Sequence, residues 1–200
     1  MKILVLHAHP RLSSSIVQRA MLRAIDGLDG VTLVDLYAEY PGLDIDLARE
    51  QRRLLDHDVI ILQHPFYWYS SPAIIKEWQD LVLENGWAYG PGGTKLAGRF
   101  LMSAVSTGGP EQAYHREGRN RFEVVELLAP FDQTAYLCSM AYLAPYVVYA
   151  GRRMEPARLS AAAEAYRDLV VGLRDGSIDP LSRLAPGYSL PPHFSEGIVR

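Results

Sequence analysis

Short apolar runs that do not alternate constrain this chain more than any other feature. Ile3-Leu4-Val5-Leu6 and Val59-Ile60-Ile61-Leu62 are apolar at every position. A strand with one wet face alternates with period two, so an unbroken run predicts a strand covered on both faces. Val31-Thr32-Leu33-Val34 reads as a second strand with more polar flanks, suited to a sheet edge. Arg99 to Val105 and Tyr146 to Ala150 complete a set of five.

Helical spacing fills the gaps between the strands. From Ser15, the residues Val17, Met21, Ala24 and Leu28 recur on one helical face. Asp46 to Leu55 is a charged helix. Ser71-Pro72 suits a helix start, with serine as cap and proline in the first turn. Ile74, Ile75, Trp78, Leu81 and Val82 then form its buried face. Leu159, Ala163, Tyr166, Val170 and Leu173 mark a last helix that stops near Gly176. This alternation predicts an α/β fold: a flavodoxin-like three-layer αβα sandwich on a five-stranded parallel sheet in the order 2-1-3-4-5. The expected domain is residues 1–176. Residues 177–200, rich in proline, form a tail, either mobile or laid across a partner subunit.

Several functions are excluded early. The formal charge is −3, which leaves no basic excess for nucleic-acid phosphates. The single cysteine, Cys138, lies among Tyr136, Leu137 and Met140 and reads as a buried, inert thiol in a reducing compartment. No apolar run nears the roughly 18 residues of a membrane span. The opening apolar run ends at His7, too soon for a signal peptide. A cytoplasmic protein without a metal site is expected.

Ligands of such sheets bind at the carboxyl ends of the strands, which singles out three loops. The first, His7-Ala8-His9-Pro10-Arg11-Leu12-Ser13-Ser14-Ser15, opens a helix whose free amides suit a phosphate, though serines before a helix also serve as plain caps. The second, His64-Pro65-Phe66-Tyr67-Trp68-Tyr69-Ser70-Ser71-Pro72, carries four consecutive aromatic residues between prolines. They suit stacking on a planar ligand or covering by a second subunit, and the two uses are compatible. In the third, Ser106-Thr107-Gly108-Gly109-Pro110, paired glycines let backbone amides approach a ligand or simply make a turn. Three loops meeting at one crevice point to a ligand with a phosphate and a flat ring.

The run from Gln63 to Pro72, with Lys76, Trp78 and Asp80 after it, resembles the NAD(P)H quinone oxidoreductase family, as do Gly86-Trp87-Ala88-Tyr89-Gly90 and Thr107-Gly108-Gly109. Ala8-His9-Pro10 and Leu36-Tyr37 ahead of Tyr40-Pro41 are similar to its KefF and KefG branch, the ancillary proteins of glutathione-gated potassium efflux. The resemblance covers about residues 1 to 175. It implies a bound flavin, FMN before FAD. His9, Ser15, Ile16, Val17 and Gln18 would hold the phosphate end. Pro65, Phe66, Tyr67, Trp68 and Tyr69 would line the ring, and Ser106, Thr107, Gly108 and Gly109 would donate to its pyrimidine edge. Gly108 and Gly109 would thereby stabilise charge on the reduced ring. Tyr114 falls where mammalian-type members carry an active-site tyrosine. Six residues on, their histidine is replaced by Asn120, with His115 as a neighbouring candidate.

The resemblance further implies ping-pong hydride transfer from NAD(P)H to a quinone-like oxidant and a homodimer. It also implies a potassium antiporter as partner, with the protein peripheral at the inner face of the cell membrane. Azo- or nitroreduction and an ancillary subunit role are the alternatives, beside a flavodoxin-type electron carrier.

Overall fold

The computed structural model describes residues 1–151 and 154–197. Strand β1 (Ile3–His7) is followed by α1 (Ile16–Ile25), β2 (Val31–Asp35), α2 (Leu36–Glu39), α3 (Leu47–Leu55) and β3 (Val59–Pro65). Then come α4 (Ala73–Val82), β4 (Phe100–Ser106), α5 (Val124–Leu127), α6 (Ala129–Leu137), β5 (Ala141–Tyr142), β6 (Tyr146–Val148) and α7 (Pro156–Asp175). All strand pairings are parallel, in the order β2-β1-β3-β4-β5, with β6 also on β4. The expected fifth strand, Tyr146 to Ala150, is β6, and β5 is an additional short strand before it. β5 pairs with Phe100 and Leu101, and β6 with Ala104 to Ser106. Pro145, which lacks an amide hydrogen, lies between them.

The unbroken apolar strands are buried on both faces. Leu4, Leu6, Ile60 and Leu62 pack with Leu36, Leu54, Ile75, Trp78 and Phe131 on the side of α2 to α6. Ile3, Val5, Val59 and Ile61 pack with Val17, Met21, Ile25, Tyr166 and Val170 from α1 and α7 on the other. Each buried aliphatic side chain contributes about 1.5–3 kcal/mol, so the sheet is fixed from two sides.

Helix boundaries follow local chemistry. Ser15 caps α1 by accepting from the Gln18 amide at 3.2 Å. The helix stops at Ile25, short of Leu28, and Gly27 just beyond has φ +70°. Ser71 does not cap α4; Pro72 takes the cap position, and the Ser71 hydroxyl donates instead to the Pro72 carbonyl at 3.3 Å. α7 ends where expected, on Gly176 at φ +77°, a left-handed closure that glycine adopts without a Cβ clash.

The segment after Gly176 packs on its own chain. The Asp179 carboxylate caps a short turn at Pro180–Arg183. Leu184 bridges Leu143 antiparallel, and the Ala185 amide donates to the Tyr142 carbonyl at 3.0 Å. Phe194 packs edge-on against Phe100 with ring centres 5.6 Å apart. This differs from a loose end, because proline-rich composition forbids a helix but not a strap held by side chains. Residues 198–200 of the expected tail lie outside the described residues.

Candidate functional site

The ends of β1, β3 and β4 border one cavity of about 730 Å³. His9, Ser15, Ile16 and Val17 form one part of its wall; Pro65, Phe66, Tyr67 and Trp68 form another; Ser106, Thr107 and Gly108 form the third. Gln18, Tyr69, Gly109 and Tyr114 are not on that wall. Ser14, from the expected serine loop, is on it, and so is Gly151, which lies outside the three expected loops. Gly151 was findable: it follows β6, so the strand-end rule that selects the other loops selects it too.

The end nearest α1 is built to donate hydrogen bonds. His9 is buried, and its Nδ1 accepts from the Arg11 amide at 3.0 Å. Burial lowers its pKa, which favours the neutral ring. With Nδ1 accepting, the neutral ring carries its hydrogen on Nε2. The Ser14 hydroxyl is spent on the Arg11 carbonyl at 2.7 Å, and the Ser15 oxygen on the cap. The first-turn amides of α1 have no partner within the helix, and the helix dipole adds positive character there. This end therefore suits an anion.

The opposite wall is a tight turn. The Ser70 amide donates to the Tyr67 carbonyl at 3.0 Å, and Tyr67 and Ser70 bridge as in a hairpin. Trp68 and Tyr69, between them, have φ +49° and +64°. Two successive positive φ angles belong to type I′ turns, where Asn-Gly is the usual choice. Two aromatic residues there cost about 1–3 kcal/mol each in backbone strain. Trp68 gains little from its own chain, being 92% exposed. Tyr69 packs edge-on to Phe66 at 6.5 Å, and its hydroxyl donates to Asn120 at 3.3 Å.

The third loop is held by β6 and the turn after it. Thr107 donates its amide to Val148 and its hydroxyl to the Gly109 carbonyl, which also accepts from the Ala150 amide. Neither Gly108 nor Gly109 has a positive φ, so what glycine supplies here is space. A Cβ on Gly109 would lie 3.3 Å from Tyr114. Tyr114 stands behind the loop, between Phe66 and Tyr149, and faces a second cavity of about 550 Å³ that His115 also borders.

A family model described as flavodoxin-like fold matches residues 1–170. The chain belongs to that family. Among its relatives is the glutathione-regulated potassium-efflux system ancillary protein KefG of Enterobacter sp. (strain 638). It is 46% identical over 165 residues, which cover 82% of this chain and 90% of the relative. General stress protein 14 from Treponema denticola, solved in complex with FMN, superposes with a TM-score of 0.80 at 36% identity, covering 88% of this chain and 99% of that one. A protein from P. pentosaceus named NADPH-quinone reductase gives a TM-score of 0.76 at 33% identity, covering 84% and 97%. The flavodoxin-like family thus accounts for the sheet order, and both the KefG and the quinone-reductase resemblances hold.

Among the described residues no cluster of ligating side chains could hold a metal, and no helix is long and apolar enough to cross a membrane. Cys138 is buried, and burial pushes its thiol up to about 12.

Proposed function

We propose that the protein is an FMN-dependent NAD(P)H oxidoreductase that reduces a quinone-like acceptor by ping-pong kinetics, working as a homodimer. One observation carries this reading: a single cavity joins an anion-ready helix start to a strained aromatic turn. That donor set fits a phosphate at one end and a planar ring at the other. The FMN complex of the Treponema denticola relative supports the same choice. Bound FMN supplies hydride acceptance from NAD(P)H and hydride delivery to an oxidant. His9 Nε2 and the Ile16 and Val17 amides would hold its phosphate. Phe66 to Trp68 would orient its ring, and the amides beside Gly108 would meet its polar edge. Tyr114 and Asn120 would act from behind, by fixing Gly109 and Tyr69.

Surface chemistry supports the dimer. Trp68 is almost fully exposed, and Tyr67 and Tyr69 are about half exposed beside it. A second copy would cover this apolar patch and close the cavity's mouth.

Purified protein should release FMN on denaturation, and double-reciprocal plots with a benzoquinone should be parallel. Protein that binds neither FMN nor FAD defeats the reading, and intersecting lines defeat the shared-site kinetics.

Resemblance to KefG favours a second reading, an ancillary subunit of a membrane potassium antiporter, peripheral at the inner face of the membrane. Co-purification with the antiporter would support it.

A further inference from the structure

Four polar side chains run in line from α7 to the cavity. The Tyr166 hydroxyl donates to Gln63 Oε1 at 3.0 Å, Gln63 Nε2 donates to Gln18 Oε1 at 3.0 Å, and Gln18 Nε2 donates to Ser106 Oγ at 2.9 Å. Tyr166, Gln63 and Gln18 are each 0% exposed. Two glutamines in an apolar core are costly unless their amides are satisfied. Here they are, and the links come from α7, β3, α1 and β4 in turn.

The direction of the line is forced. The main-chain carbonyl of Gln18 can only accept, and Gln63 Nε2 faces it at 3.4 Å. The amide nitrogen of Gln63 therefore points to α1 and its oxygen to α7, so Tyr166 must donate. Burial keeps that phenol protonated. Since Gln63 presents a nitrogen, Gln18 must answer with its oxygen, which turns the Gln18 nitrogen toward Ser106. The Ser106 oxygen thus receives a hydrogen and keeps its own to give. No acceptor among the described residues takes it, and Ser106 lines the cavity.

We propose that Tyr166 and Gln63, neither of which touches the cavity, are positioning residues that hold the Ser106 hydroxyl as a hydrogen-bond donor to an acceptor atom of the bound flavin. This rests on the flavin reading above. Without the Tyr166 hydroxyl, Gln63 Oε1 loses its partner and only the 3.4 Å contact to the Gln18 carbonyl still orients the amide, so Ser106 is held less firmly as an outward donor. A ligand presenting a donor at the same point is disfavoured, because it would take the oxygen's second lone pair and leave the hydroxyl hydrogen without an acceptor.

A double-mutant cycle tests this. Wild-type apoprotein is first titrated with FMN by fluorescence quenching; if it does not bind, the flavin reading itself fails, and this proposal with it. Tyr166→Phe is then measured with Ser106 present and in Ser106→Ala, with thermal melting to show that each is folded. Loss of one committed hydrogen bond should weaken FMN binding about three- to tenfold when Ser106 is present. In Ser106→Ala the same change should cost less than about twofold, since the group it acts through is gone. Equal weakening in both backgrounds would make Tyr166 a packing residue and overturn the proposal, as would undiminished binding when Ser106 is present. Gln63→Met keeps the volume and removes the relay; it enters the same cycle with the same expectation if Tyr166→Phe folds poorly.

Discussion

Two buried polar networks lie on opposite faces of the sheet, and they end differently. On the α3 side, Glu50 is 0% exposed and accepts from the Tyr40 hydroxyl at 2.7 Å, from Trp78 Nε1 at 2.9 Å and from Arg53. Arg53 is shared with Glu39 at 3.0 Å. That network is charged and closed: both carboxylate oxygens of Glu50 are met inside the protein. The line from Tyr166 to Ser106 is neutral and open, with one hydrogen left over at a cavity wall. A closed network has no hydrogen left to offer a ligand. An open one leaves a hydrogen to give, here at the wall of the cavity proposed to hold the flavin.

The difference can be broken most forcefully at Glu50. Glu50→Ala leaves the Tyr40 hydroxyl and Trp78 Nε1 without an acceptor and Arg53 with Glu39 alone, which should cost about 3–5 kcal/mol of stability in urea denaturation. FMN affinity of the folded protein should not change. A small stability loss, or a large affinity loss, would erase the distinction between the two networks.

Acid should act through two buried histidines that belong to neither network. His7 sits in register opposite Gln63. Burial, the largest influence, lowers His7 and His64 to about 4, although Asp35 pulls His7 the other way. The unfolded chain, with pKa near 6.5, takes up protons that the folded chain refuses between about pH 6.5 and 4. Stability is therefore full above that window and falls as pH drops through it, at up to about 1.4 kcal/mol per unit for each histidine. From pH 6.5 to 5 the two together should remove about 3 kcal/mol, read from urea midpoints. A flat profile would mean that these rings are not held neutral.

The aromatic turn sharpens the contrast by trading fold for ligand. Asparagine tolerates a left-handed backbone, so Trp68→Asn should raise apoprotein stability by about 1 kcal/mol. The same change should weaken FMN binding by about 1–3 kcal/mol through the lost ring contact. Stability that falls, or affinity that holds, would remove the case for strain kept for binding.

Much of this was legible in the sequence, and the exceptions have physical causes. The strands β1 and β3 announced themselves because burial on both faces leaves an unbroken apolar run, and β4 is apolar apart from Ser103 and Ser106. The helices α1, α4 and α7 showed one-sided spacing over ten or more residues. α2 and α5 are four residues each, too short for a period to register. α5 also begins on a Glu123–Glu126 capping box, outside the usual serine or threonine pattern. β5 is two residues long, fixed by the neighbours Phe100 and Leu101 rather than by its own composition. The cavity loops were visible because three strand ends carried unusual residues. Gln18 was expected to face the phosphate end, yet its side chain turns inward to Gln63 and Ser106. Gln63 had no expected role. Their partners come from distant parts of the chain, and only the fold brings them together.

The strap that follows α7 has a consequence for how copies of this chain can meet. Beside β5, where the sheet stops, the main chain of Tyr142 to Ala144 would otherwise present unpaired amides and carbonyls. Leu184 and Ala185 occupy part of that row, and the Ala144 amide is spent on the Arg183 carbonyl at 2.7 Å. A margin filled in this way offers little template for strand-to-strand growth into larger aggregates. That leaves the aromatic mouth of the cavity as the face for the proposed pair, a finite and closed assembly.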